Sequence, residues 1–496
     1  MSAATAVEED YLVVIGLEVH VQLETRTKIF CGCSIDFADS PPNSHTCPVC
    51  LGLPGSLPVL NEAAVDSALK LTKAIDGTVP PATRFHRKNY FYPDLPKNFQ
   101  ISQYGAPVCD GGSIEITVED QERTIRIERA HLEEDPGRLD HGGGGDIASA
   151  EYTLIDYNRA GVPLVEIVTA PDFRSPAETR AFLAKLEEML EYLGIFDSSR
   201  DGSLRVDANV SLIPTEDVPG GDPTEEQLAA ATRTEVKNIS SHRGAEKALA
   251  YEVTRQRNAR RRGVDIEQET RHWDESRGVT VGMRTKEAEE DYRYFPEYDL
   301  PPISVRDRYE DVEIPELPEA RRERFARDYG LNTEAASKLT SSRPVADFFE
   351  AIAADYDPEI AATWVADNLL GELNYRDMAI GEVEDRLPAF ERLIELVATE
   401  EITVKNAEEV VLRAMLDEGV DPDTVVERED LGRSDEETVQ RAVREAIEEH
   451  DEAVADYHAG EDGALNFLVG QVMQKTNGQA DPGTVNGLLR KQLDAD

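Results

Sequence analysis

From Tyr11 to Leu23 the chain reads YLVVIGLEVHVQL. After Gly16 it alternates, with Leu17, Val19, Val21 and Leu23 on one face and Glu18, His20 and Gln22 on the other. That period predicts a strand with one packed face and one polar face. The same reading holds for SLRVDANVSL, where Leu204, Val206, Ala208 and Val210 alternate with Arg205, Asp207, Asn209 and Ser211. Between them the period lengthens. Ser175 as N-cap, Pro176 at N1 and Glu178 closing a capping box predict a helix over 174–194, with Phe182, Leu183, Leu186, Met189, Leu190 and Leu193 as its apolar stripe and Gly194 as its stop. Residues 11–170 otherwise read as strands and loops. After DYRYFPEYDLPP (291–302) the pattern turns to amphipathic helices that continue to the C-terminus, and a second break falls near 400–405. The expected class is α+β: a mixed α/β region over 1–295, an all-α helical domain over 296–404 and a helical tail over 405–496.

Composition adds a constraint. The 496 residues hold 99 Asp and Glu against 52 Lys and Arg, a formal net charge of −47, and of the bases 39 are Arg and 13 Lys. With 40% hydrophobic residues the chain has material for several cores, which excludes wholesale disorder. No stretch approaches the ~20 apolar residues of a membrane span, and the N-terminal sequence lacks a signal-peptide pattern, so a cytoplasmic location and no membrane partner are expected. Acidity spread along the whole length points to adaptation to concentrated salt. At molar ionic strength the Debye length is about 3 Å, so such charges repel one another only locally. A polyanionic ligand such as nucleic acid is therefore not excluded.

Candidate chemistry lies in two sets of residues. Cys31 and Cys33, then Cys47 and Cys50, form two close pairs that can close a tetrahedron around a structural Zn²⁺; His45 could replace one thiolate, and Cys109 reads as a buried thiol. The second set is Glu18, His20, the HLEED run with Glu133 and Glu134, Asp207 and Glu235, whose hard oxygens beside an imidazole suit Mg²⁺. Strand alternation lets only one of Glu133 and Glu134 face such a site. No phosphate-binding loop of the G-x-x-x-x-G-K-[ST] type occurs, and the run Gly142 to Gly145, with no lysine after it, reads as a surface loop. RQRNARRRG (255–263) carries five arginines, which suit either phosphate binding or the C-terminal turn of a helix.

These residues sit in segments that together resemble the GatB family, the B subunits of the tRNA-dependent amidotransferases GatCAB. The segments are IGLEVHVQL, RKNYFYPDLPKNFQISQY, RAHLEEDPG, DYNRAGVPLVEIVTAPD, DGSLRVDANVSL, RTEVKNISS, EDYRYFPEYDLPP and FLVGQVMQKTNGQADP, in order along nearly the whole chain. The resemblance implies an N-terminal cradle domain with a kinase and transamidase site, a helical domain, and a YqeY-like tail that holds tRNA. It implies an ATP- and Mg²⁺-dependent activation of the side-chain carboxylate of Asp-tRNA(Asn) or Glu-tRNA(Gln), then amidation by ammonia from the glutaminase subunit GatA, with GatC as third partner. By motif it assigns Glu18, His20 and Glu133 or Glu134 to the metal, with Asp207 and Glu235 beside them, and Arg159, Lys237 and Asn238 to the lining of the substrate pocket. Two other readings compete. The relative GatE carries a large insertion for which the step from DYRYFP into helices leaves no room, and a noncatalytic zinc-containing tRNA-binding subunit would not need the Glu18 and His20 pair.

Overall fold

A run of aromatic, β-branched and aliphatic residues, broken by Gly16, Glu18 and His20 and closed by Gln22, makes Tyr11–Gln22 the central strand, β1, of a large sheet. The computed structural model describes residues 11–142, 150–200, 202–284, 292–432, 436–459, 461–476 and 478–494; the glycine run beyond Gly142 lies outside them. In chain order the further strands are β2 (Ala82–Thr83), β3 (His86–Asn89), β4 (Phe99–Ser102), β5 (Cys109–Asp110), β6 (Ser113–Val118), β7 (Gln121–Glu134), β8 (Arg138–Gly142), β9 (Tyr152–Asp156), β10 (Pro163–Thr169), β11 (Leu204–Pro214), β12 (Thr234–Ile239), β13 (Glu269–Asp274), β14 (Val279–Arg284), β15 (Phe295–Pro296) and β16 (Ile303–Ser304). The sheet runs β14-β13-β12-β11-β1-β10-β7-β5, with β6 paired to β7. All its pairings are antiparallel except β12 with β13.

Leu17, Val19 and Val21 are buried on one face of β1, in one core with Phe182, Leu186 and Leu190 of helix α2 (Pro176–Tyr192). The core also takes in Ala245 and Leu249 of a later helix, His242–Arg261. Truncating Phe182 to Ala there would cost about 3–5 kcal/mol. The expected N-cap is present, since Ser175 accepts from the Glu178 amide and Pro176 stands at N1. The reciprocal half of the capping box is shifted by one residue: the Glu178 carboxylate accepts from the Arg174 amide at 2.6 Å and pairs with Arg123. Gly194, at φ +65°, takes the left-handed conformation that ends the helix. The strand-and-loop reading of 11–170 omits one helix, α1 (Glu62–Ala74), which Asn61 caps.

The chain divides into two units, 1–318 and 319–496. The prolines of 291–302 therefore do not end the first unit. β15 pairs with β3 and β16 with β2, Leu300 and Val305 enter the core, and Arg308 bridges to Glu62 and Asp66 of α1. The second unit is helical, with two separate apolar clusters. One, over 325–431, centres on Phe349, Trp364, Leu393 and Val411; the other, over 439–493, centres on Val443, Leu468, Val472, Val485 and Leu489. The change of core falls between Leu431 and Val439 and not at 404, because Ala407, Val411, Leu412 and Val425 pack with the earlier helices. Among the described residues no helix is long and apolar enough to cross a membrane.

Candidate active site

The polar face of β1 gathers its neighbours by register. His20 lies opposite Glu166 of β10, Glu166 opposite His131 of β7, and Glu18 opposite Asp207 of β11. Asn209 lies opposite Glu235 of β12. The outcome is a row of ionisable groups across five strands. Within it, His20, Glu133 and Glu166 offer ligand atoms within 4.8 Å of one another, and so do Glu18, Asp207 and Glu235.

In the first cluster the His20 Nε2 lies 3.4 Å from Glu166 and 3.5 Å from Glu133, and His131 Nε2 lies 3.3 Å from the same Glu166 oxygen. Burial opposes protonation of His20, but Glu166 and then Glu133 outweigh it and raise its pKa to about 9. Burial also opposes ionisation of Glu166, yet the two imidazoles hold its carboxyl well below the ordinary range. Glu133 moves the other way, raised by burial and by Glu166.

In the second cluster burial, and then the charges of Glu166 and Asp207, raise the Glu18 carboxyl. Asn209 Nδ2 donates to Glu18 at 3.2 Å, while its buried Oδ1 has no hydrogen-bond partner. Lys237 donates to Asp207 at 2.5 Å and lies 3.3 Å from Glu235, which also accepts from Thr270 at 2.8 Å. An extra residue in β12 aims Lys237 here: Ala208 pairs with Val236, but Val206 pairs with Ile239. Like charges directly opposite each other, as Glu18 and Asp207 are, destabilise a sheet. Set among five carboxylates, with the unpartnered Asn209 oxygen beside them, they form a donor set of hard oxygens and one imidazole that fits divalent cations.

Of the six expected residues, Glu18, His20 and Asp207 lie where alternation puts them, Glu235 joins them from β12, and the Glu133/Glu134 alternative resolves in favour of Glu133. Glu134 turns away, paired with Lys97 and accepting from the Ile101 amide at 2.8 Å. Arg159 is not in the row either. It donates to the carbonyls of Pro136 and Gly137 and stands 3.6 Å from Asp135, a buried carboxylate that also takes hydrogen bonds from Gln22 and Arg205. Asn238 is the bulge residue, exposed, with φ +68° and its amide near the Trp273 carbonyl. Sequence reasoning missed Glu166, and it placed Asn209 on the polar face of β11 without giving it a role. The signal for Glu166 was present, a lone carboxylate in the apolar strand PLVEIVT.

The cysteines meet as expected. Cys31, Cys33, Cys47 and Cys50 bring their sulfurs within 4.8 Å, all are free thiols, and the Cys47 amide donates to Cys50 Sγ at 3.1 Å. The hydrogen bond from the Cys31 thiol, the Cys47 amide and the charge of Lys28 outweigh burial and lower the Cys50 thiol to about 4. His45 does not replace a thiolate, because its ring is engaged by Ser40 and the Ser34 carbonyl. Cys109 is buried in the core. In the arginine run, Arg255 grips the buried Glu252 and the half-buried Glu269, so it serves the helix–sheet packing.

A family model described as the GatB/GatE catalytic domain matches residues 13–311, and a second, described as the GatB domain, matches 347–493. Relatives named as the B subunit of aspartyl/glutamyl-tRNA(Asn/Gln) amidotransferase align end to end. That of Natronomonas pharaonis is 68% identical over all of both chains, and that of Haloquadratum walsbyi is 67% identical over 100% of this chain and 99% of its own. A more distant one, from Methanosarcina barkeri, is 49% identical over 97% and 98%. With the catalytic-domain match spanning the sheet that carries the carboxylate row, and relatives matched over their full length, the chain belongs to the B-subunit family of the tRNA-dependent amidotransferases.

Proposed function

We propose that this chain is the ATP- and Mg²⁺-dependent subunit that phosphorylates the side-chain carboxylate of Asp-tRNA(Asn) and/or Glu-tRNA(Gln) and then lets ammonia displace the phosphate. Ammonia would come from glutamine through the GatA amidase, with GatC completing the heterotrimer. The observation that carries the reading is the pair of carboxylate clusters two residues apart on β1, Glu18 with Asp207 and Glu235, and His20 with Glu133 and Glu166. A carboxylate is a poor electrophile, and phosphorylation provides it with a leaving group. Mg²⁺ held by these groups would neutralise charge on the transferring phosphoryl. Glu18, Asp207 and Glu235 form one candidate cation site and His20, Glu133 and Glu166 the other. Lys237, anchored between Asp207 and Glu235, would offer a fixed positive charge to a phosphate. The four thiols fit zinc with no open coordination position, so that metal would brace a loop and activate no water. The helical tail would hold the tRNA.

The test is reconstitution with the amidase subunits and each misacylated tRNA in molar KCl. Glu18→Gln should lower tRNA-stimulated ATP cleavage and amidation by about a hundredfold or more, with the amidase's basal glutamine hydrolysis intact. Undiminished amidation by that variant would favour a noncatalytic tRNA-binding subunit.

A further inference from the structure

Lys28 is fully buried, although it is a lysine in a chain whose polar surface has ample room for one. Its ammonium donates to the His45 carbonyl at 2.8 Å and to the Tyr157 carbonyl at 3.3 Å, two neutral acceptors from different loops. A buried cation is retained where hydrogen bonds and a paired anion repay its desolvation. Lys28 shares one cavity with Cys31 and Cys50; the carboxylates that also line it are held by other cations, Glu134 by Lys97 and Glu297 and Asp299 by Arg87, which leaves the sulfurs as the countercharge for Lys28. Gly161 shows how close the two lie. A Cβ added there would sit 3.5 Å from the Lys28 Cδ and 3.6 Å from the Cys50 Cβ, and its φ of +88° keeps the position glycine.

The loop at 155–161 is stitched to the cysteine loop along its length. Asn43 donates through its amide to Asp156 at 2.8 Å and accepts from the Tyr157 amide at 2.8 Å. His45 N–H donates to Asn158 Oδ1 at 2.8 Å, and Asn158 donates back to Pro41. The far side of the same loop supports the carboxylate row. Arg159 holds the Pro136 and Gly137 carbonyls, the Gly161 amide donates to the Asp135 carbonyl at 2.8 Å, and Asp135 fixes Gln22 and Arg205. Gln22 and Arg205 stand two positions from His20 and Asp207 on β1 and β11, and Asp135, just past the end of β7, stands two positions from Glu133.

We propose that Lys28 is a positioning residue for the thiol centre: its ammonium is the buried countercharge of a four-thiolate zinc complex of net charge −2, and by tying that complex to the 155–161 loop it couples zinc occupancy to the base of the carboxylate row. The proposal rests on the reading of the four thiols as a zinc site. A buried countercharge is weakly screened, so it acts in molar salt where surface charges do not. Groups outside the ligand shell of a metal typically change its affinity 10–100-fold.

The experiment uses the full-length chain in molar KCl, purified without chelator, with Lys28→Met to remove the charge at similar volume and Lys28→Arg to keep it. Zinc affinity is read by competition with a chromophoric chelator, the ligand set by the thiolate bands of the cobalt-substituted protein, and the loop by hydrogen exchange over 155–161. Lys28→Met should weaken zinc about tenfold or more with unchanged cobalt bands, and Lys28→Arg should recover most of the loss. Exchange over 155–161 should accelerate in Lys28→Met and in zinc-stripped wild type alike. Wild-type zinc affinity in Lys28→Met, or an Arg variant as weak as the Met variant, overturns the countercharge. If Lys28→Met does not fold, the stripped wild type decides, and unchanged exchange over 155–161 overturns the coupling. Wild-type protein that holds no zinc and gives no cobalt thiolate bands instead overturns the metal reading on which the proposal stands.

Discussion

Replacing Glu166 with Gln removes the charge shared by two imidazoles, the buried His131 and the half-buried His20. In the metal-free protein His20 is held at a pKa of about 9 against an ordinary value of 6.5, chiefly by Glu166 at 3.4 Å working against burial. A folded pKa above the unfolded one contributes stability that is fully present below about pH 6.5 and is lost as pH rises through 9. The gap of about 2.5 units, at ~1.36 kcal/mol each, sets a ceiling of about 3 kcal/mol, part of which Glu133 supplies. Glu166→Gln should therefore destabilise the first unit by up to about 3 kcal/mol at pH 6.5. At pH 9.5 the penalty should shrink toward zero, because the wild-type imidazole has lost its proton and the carboxylate is then a buried charge with weaker compensation. The tryptophans make the assay unit-specific, since Trp273 lies in the first unit and Trp364 in the second. Urea unfolding in Mg²⁺-free molar KCl, followed by Trp273 fluorescence in a Trp364→Phe background, gives the difference at each pH. A penalty of equal size at pH 6.5 and 9.5 would refute the ion-pair account.

The same histidine must release its proton before it can bind a cation, so Mg²⁺ affinity should rise about tenfold per unit between pH 7 and 9. Calorimetry in two buffers should count one proton released, and a flat profile removes His20 from the ligands. Cys47→Ser should release zinc and speed hydrogen exchange over 28–55 before the rest of the first unit, and retention of stoichiometric metal would contradict a four-thiolate site. Raising KCl from about 0.1 M toward molar levels shortens the Debye length to about 3 Å and relieves repulsion within a chain of net charge −47. It should raise the unfolding midpoint and preserve tRNA affinity; a steep loss of affinity in folded protein would mean that counterion release dominates the interface.

The sequence by itself determined what depends on short-range periodicity. Alternation in 11–23 and 204–211 fixes which side chains of β1 and β11 share the polar face, because the two-residue repeat of a strand needs no partner to define it. The Ser175 cap and the paired cysteines are likewise local, the one closing a single helical turn and the other setting sulfurs on short loops. Tertiary structure decided what depends on pairing. Glu133 and Glu134 are adjacent and both buried, so only the packing of β7 against β10 on one side and of Lys97 on the other tells them apart. Glu166 sits in a strand buried on both faces, where no alternation marks the working side, and it acquires a role only because register sets it opposite both His20 and His131. The prolines of 291–302 punctuate the chain without ending the unit, since β15 and β16 find partners two hundred residues upstream. Nothing local marks Lys28, which is buried because the fold closes the cysteine loop and the 155–161 loop around it, and burial is a property of the whole chain.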